Sequence, residues 1–195
     1  DKASDLPAGA TFRQVDVTDR DAMDALFKEE APFDILVSAA TGGARAAGPF
    51  LQMDLDGYQG SFAKLWGYAN VLRYGCEHLS ANGAAVLVSG APARKAKPGQ
   101  VAISSVGGAV EALVRAVAPE IAPKRLNLVS PGTIDTPMFG PDDENRKKFV
   151  AGATAGNLIP RAGEPDECAQ AIMLVIENEF MTGTTVDVDG GWLLS

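Results

Sequence analysis

The sequence predicts an α/β fold, a parallel sheet covered by helices on both faces, and three observations predict it. Short β-prone runs alternate with helical patterns along the whole chain, the order that parallel strands and crossover helices require. The run Ala85-Val86-Leu87-Val88 is apolar at every position, as a strand buried on both faces demands. The 195 residues, 46% of them hydrophobic, show no repeat, low-complexity tract or linker, so one domain over 1–195 with one core is expected.

Residues 11–16, Thr-Phe-Arg-Gln-Val-Asp, form the first β-prone run. Asp19 is placed to cap the next helix, where Met23, Leu26 and Phe27 recur at helical spacing. Phe33 to Val37 reads as a strand that runs into a small-residue loop, Ser38 to Gly43. A long helix over about 55–80 would carry Phe62, Leu65, Trp66, Ala69, Leu72, Cys76 and Leu79 on its apolar side. Asn82-Gly83 is expected to break the chain before the strand Ala85 to Ser89. A loop rich in Ala, Lys, Pro and Gly then leads to a helix at roughly 101–121, with Val106, Val110, Leu113, Val114 and Val117 on one face. Leu126 to Val129 is a strand before a Pro131-Gly132 turn, and 141–148 is a charged, lid-like stretch. A helix at about 166–177 and a last strand, Thr184 to Val188, end at Asp189-Gly190-Gly191. Ligands of such open sheets sit beyond the C-terminal strand ends. Asp16, Ser38 to Gly43, Ser89 to Pro92 and Pro131 to Thr136 therefore fall along one rim.

Composition narrows the function. A net charge of −8 argues against nucleic acid or an anionic membrane as a main partner. Cys76 and Cys168 have neither metal-ligand nor redox spacing, so reduced thiols in a cytoplasmic protein are expected. His78 is the only histidine, and no metal site is expected. No apolar run approaches the ~18 residues of a membrane span, and no signal peptide is visible. The chain begins with Asp1 rather than Met, which suggests a start inside a longer gene product.

The rim segments resemble the short-chain dehydrogenase/reductase family over nearly the whole chain. Asp16-Val17-Thr18-Asp19 is similar to the family's Asp-Val-Thr-Asp segment, whose first Asp bonds the cofactor's adenine. Phe33 to Thr41 resembles its Asn-Asn-Ala-Gly strand end, with Ser38, Ala39 and Thr41 as departures and Ala40 retained. Arg125 to Met138, with Pro131, Gly132, Thr133, Ile134 and Thr136, resembles the turn that faces the nicotinamide carboxamide and phosphates. Arg161 to Cys168, Met181-Thr182-Gly183 and Asp187 to Gly191 complete the likeness. The resemblance implies a Rossmann-like doubly wound sheet and NAD or NADP as cofactor. It also implies a small-molecule carbonyl or alcohol substrate, and a homodimer or homotetramer built through the 55–80 and 101–121 helices.

Three features depart from that pattern. No glycine-rich phosphate turn precedes Asp16, because a β-α-β opening needs at least about 30 residues. Two strands of the family order would thus be missing beside 33–38. If residues 1–30 are ordered without them, the 11–16 strand should pair directly beside 33–38, giving a smaller parallel sheet. Second, the family's catalytic tyrosine and lysine align with Ile103 and Gly107, and no shift of one or two residues supplies either. A free phenol titrates near 10, so the tyrosine depends on its neighbouring cation. Third, Lys64 stands at the family's active-site asparagine, while Ser89, with Gly90 as the competing assignment, matches the serine that orients the carbonyl.

Two residues nearby offer a substitute. Lys64 and Tyr68 lie four apart on one helix and could form a relocated pair, with Tyr68 packed between helices as the alternative. Lys95 and Lys97, in the loop after Ser89, are expected in solvent, with contact to a phosphate or an acidic substrate as the alternative. Gly107-Gly108 within a helix costs roughly 1 kcal/mol per residue relative to alanine. Either a cofactor or a partner helix approaches the bare backbone there, or the position drifted once lysine was lost. The readings left open are an NAD(P)-dependent oxidoreductase of weak or absent activity, a non-catalytic dinucleotide-binding or assembly subunit, and an incomplete form of an ordinary enzyme.

Overall fold

The computed structural model describes residues 6–40 and 45–195. Its sheet is all parallel in the order β1-β2-β3-β4, with β1 Phe33–Ser38, β2 Leu79–Val88, β3 Arg125–Pro131 and β4 Thr185–Val188. The helices are α1 Arg20–Glu30, α2 Leu55–Gly60, α3 Ala63–His78, α4 Val101–Glu120, α5 Glu144–Thr154 and α6 Pro165–Glu177. This is the Rossmann-like architecture the alternation predicts, without a glycine-rich β-α-β opening among the described residues.

Side-chain alternation along the strands builds two cores. Leu87, Leu126 and Leu128 point to the α3/α4 side and pack on Tyr68, Leu72, Val110 and Val114. Val86 and Val129 point the other way, onto Ala171 and Val175 of α6. Asp19 caps α1 as expected, accepting from the Ala22 N–H at 3.1 Å, and Met23 and Phe27 bury against Val71 of α3.

Several expectations need correction. Residues 11–16 form no strand and pair with nothing in the sheet. A β-prone run becomes a strand only where a neighbour takes its hydrogen bonds; here Arg13 instead meets Glu29 at 3.0 Å. The 55–80 helix is two helices, divided at Ser61-Phe62, where the Ser61 hydroxyl donates to the Gly57 carbonyl and accepts from the Ala46 N–H, both at 2.9 Å. Asn82-Gly83 lies inside β2 rather than before it. The register jumps there, from Phe33 opposite Leu79 to Ile35 opposite Ala84, so the extra residues bulge out. A Cβ on Gly83 would stand 2.6 Å from Leu79 Cγ, which explains the glycine. Coverage of both faces also fails at β1, where Ile35 is 51% and Val37 43% exposed. The charged 141–148 stretch runs into α5, whose first N–H groups at Asn145 and Arg146 donate to the Asp143 carboxylate at 2.9 Å. Finally, α4 is by itself long and apolar enough to cross a membrane. Here its Val110 and Val114 are fully buried on the sheet.

Candidate active site

The C-terminal ends of β2 and β3, the start of α4, α6 and the lid around α5 enclose a cleft of about 550 Å³. Ser89 enters it from β2, and its N–H donates to Val129 O at 2.9 Å, so the ladder to β3 fixes its place. The turn after β3 supplies the floor with Pro131, Gly132, Thr133, Ile134 and Thr136. That turn is tied on both sides. Gly132 N–H donates to Val188 O at 3.0 Å, and Asp135 N–H donates to Gly163 O at 2.9 Å. Ala39 and Lys64 complete the set of sequence-predicted residues that share the cleft.

Three others do not line it, and Thr41 lies outside the described residues. Asp16 is exposed, and its carboxylate accepts from the Thr18 N–H at 2.8 Å and the Thr18 hydroxyl at 2.7 Å. Those bonds hold its pKa below the usual carboxylate value. Val17 packs against Gly67 on α3, and its carbonyl accepts from Asn70 Nδ2 at 2.9 Å. Ala40 is half-buried outside the lining.

Ile103 and Gly107 both line the cleft, so nothing at either position can move a proton. Gly107 is nevertheless closely packed. A Cβ there would lie 2.9 Å from Ala93 Cβ and 3.1 Å from Ala93 Cα. This chain's own turn, Ala91–Ala93, packs against the bare backbone. The next residue anchors that turn: Arg94 Nε donates to the buried Glu111 carboxylate at 2.9 Å, and its Nη1 donates to Asp187 at 3.0 Å.

The relocated Lys64–Tyr68 pair does not form a relay. Tyr68 is fully buried and its hydroxyl donates to the Val88 carbonyl; burial pushes the phenol well above its usual 10. The Lys64 ammonium stands over the ring, 5.4 Å from its centre, instead of at the oxygen. Tyr68→Phe is accordingly expected to cost about 1 kcal/mol in chemical denaturation. It should leave any NAD(P)H turnover unchanged, and a tenfold loss of turnover would restore the relay. Tyr58 reaches α4, with its hydroxyl 3.0 Å from Ser105 Oγ, but outside the cleft lining.

Lys64 itself faces the cleft, and burial, then the nearby Arg45 charge, lowers its pKa to about 8. Cys168 is the cleft's thiol, pushed up by burial and therefore poorly nucleophilic. Lys95 is not in solvent: its ammonium donates to the Trp192 carbonyl at 2.7 Å and lies 5.6 Å from the indole centre. Lys97 also meets that indole, at 5.9 Å, and lines the cleft. Sequence reasoning did not foresee Arg45, Trp192 or the lid rings Phe139 and Phe149, whose centroids are 5.2 Å apart.

A family model described as Enoyl-(Acyl carrier protein) reductase matches residues 2–193. The chain belongs to the short-chain dehydrogenase/reductase family. A short-chain dehydrogenase/reductase of Stachybotrys chlorohalonatus is 42% identical over 106 residues, covering 54% of this chain and 42% of that protein. The chain thus spans less than half the length of that relative. A small-chain dehydrogenase crystallised in complex with NADPH superposes over 99% of this chain and 92% of that one, with TM-score 0.88 and 28% identity. A short chain oxidoreductase from Pseudomonas aeruginosa PAO1 described as containing an atypical catalytic center covers 91% of this chain and 75% of that one, with TM-score 0.81 and 25% identity.

Proposed function

We propose that this protein binds NAD or NADP and a small carbonyl or alcohol ligand in the cleft, and that turnover by the family's tyrosine–lysine route is weak or absent. The observation that carries the reading is the cleft wall itself, with Ile103 and Gly107 in place of that pair. The NADPH complex of a relative at 28% identity supports the cofactor class. The residues present fit the ring end of a dinucleotide: the Pro131-Gly132-Thr133 turn offers a flat, anchored floor. Among the described residues no glycine-rich turn opens a helix to hold its pyrophosphate.

Bound there, a nicotinamide would supply or accept hydride. Ser89 can orient a carbonyl oxygen, and Lys64 is left as the ammonium able to give it a proton. With a pKa near 8 Lys64 is mostly protonated at neutral pH and loses that proton as pH rises. Any residual reduction should therefore fall as pH is raised through about 8.

Titration with NADH and NADPH, followed by a carbonyl panel, tests the reading. Binding with turnover below ~1 s⁻¹ is expected, whereas faster turnover, in the ordinary enzyme range, would sink it. Lys64→Met should abolish any residual rate and its pH dependence. If the rate does not change, Lys64 has no catalytic part and the non-catalytic binding reading takes over. Assembly through α3 and α4 is the accompanying proposal, supported by the apolar groove of about 560 Å³ between them that Leu72, Leu113 and Val117 line. Light scattering should then find a dimer or tetramer.

A further inference from the structure

In a chain of net charge −8, no aspartate or glutamate among the described residues lines the cleft, yet Arg45, Lys64 and Lys97 all do. Among the described residues none of the three meets a carboxylate in an ion pair. Like charges on one concave wall repel one another, and the half-buried Lys64 is desolvated as well, while Arg45 and Lys97 are exposed, so a negative charge arriving there relieves both costs. Arg45 and Lys64 act on each other in this way, the Arg45 charge opposing protonation of the lysine.

The other wall is apolar. Met138, Phe139, Phe149 and Ile172 face the same space, with Met138 64% and Phe149 56% exposed at its mouth. The two walls meet where Arg45 Nη1 lies 3.7 Å from Met138 Sδ. A ligand with its charge at Arg45 would lay its body directly on the Met138–Phe149 side.

We propose that the cleft selects an amphiphilic anion: a carboxylate, or a phosphate, held by Arg45 and Lys64 and joined to an apolar body that packs on Met138, Phe139 and Phe149. The inference rests on the cleft being the ligand site of the proposed function and is independent of turnover. Lys97, held over the Trp192 indole, guards the rim on the α4 side and adds to the positive field. The shared chemistry, an anion on Arg45 and Lys64, could come from a substrate or from the phosphates of a dinucleotide, so the test separates them.

Isothermal titration of the protein with 4-phenylbutyrate, 4-phenylbutan-1-ol, butyrate and inorganic pyrophosphate provides that test. Phenylbutyrate is expected to bind at least tenfold tighter than the uncharged alcohol, which lacks the anion, and than butyrate, which lacks the body. Arg45→Gln should weaken phenylbutyrate tenfold or more and leave the alcohol unchanged, and Lys64→Met should likewise weaken phenylbutyrate tenfold or more. Two variants at different elements guard against a folding defect in one. Equal binding of acid and alcohol, or pyrophosphate binding without phenylbutyrate, would overturn the proposal; the latter would assign the cations to a cofactor. NADPH binding alongside failed phenylbutyrate binding sinks this inference and leaves the proposed function standing. Phenylbutyrate binding with neither NADH nor NADPH does the reverse.

Discussion

Arg125→Met is expected to destabilise the protein by about 3 kcal/mol or more, because it strands several carbonyls that the guanidinium now satisfies. Arg125 is buried at the start of β3, and its Nη1 donates to the carbonyls of Val175 at 2.7 Å, Asn178 at 3.1 Å and Met181 at 3.3 Å. Its Nη2 donates to Ile176 O at 2.6 Å. Val175 and Ile176 belong to the last turn of α6, where carbonyls have no partner within the helix and the dipole end is negative. One planar cation thus caps α6 and ties it to β3. At roughly 2–4 °C per kcal/mol for a domain of this size, the midpoint should fall by roughly 6–12 °C in a thermal melt. Arg125→Lys keeps the charge but not the fork, so it should lose part of this. A melt within about 2 °C of the parent for Arg125→Met, under the shift of a single kcal/mol, would show that water satisfies those carbonyls instead. The effect extends to the cleft, since α6 forms one wall through Cys168, Ala169 and Ile172.

Where a physical rule acts locally, the sequence was legible. Alternation of apolar runs and helical stripes is enough for four parallel strands, and Asp19 announces α1 because a cap needs only its own N–H groups. The same reasoning fails at 11–16, where β-propensity has no neighbour to realise it, and at Asn82-Gly83, where the pairing strand absorbs a turn signal as a bulge. The rim residues Ser89 and Pro131 to Thr136 come together because strand ends must. Arg45 beside Met138 and Lys95 on Trp192 join residues 93 and 97 positions apart, and no local pattern encodes such a meeting. Gly107 is the most instructive case. A helix-interior glycine signals that something is close without saying what, and only packing reveals Ala93.

That close approach sets the second expected result: Ile103→Tyr combined with Gly107→Lys, which restores the family's pair in sequence, should not restore catalysis. A side chain at 107 must displace the Ala91–Ala93 turn, since even its Cβ would sit 3.1 Å from Ala93 Cα, which is backbone. Overpacking of this kind costs about 1–3 kcal/mol, while replacing a helical glycine returns at most ~1 kcal/mol. The turn has little room to yield, because Arg94 is bound to Glu111 and Asp187. With the full glycine return subtracted, a net loss of up to about 2 kcal/mol is therefore expected in denaturant. Ile103→Tyr alone is tolerable, because Ile103 is partly exposed at the cleft. Without a correctly placed cation its phenol keeps a pKa near 10, leaving roughly one molecule in a thousand ionised at neutral pH. The double variant should consequently be less stable than the parent and gain less than tenfold in carbonyl reduction. Adding Ala93→Gly is the discriminating control. It removes the methyl group 2.9 Å from the new side chain but leaves the backbone carbon of residue 93 only 3.1 Å away, so stability should recover only in part. A double variant of parental stability with a hundredfold gain in turnover would mean that the turn gives way easily, and that the missing pair is what limits turnover.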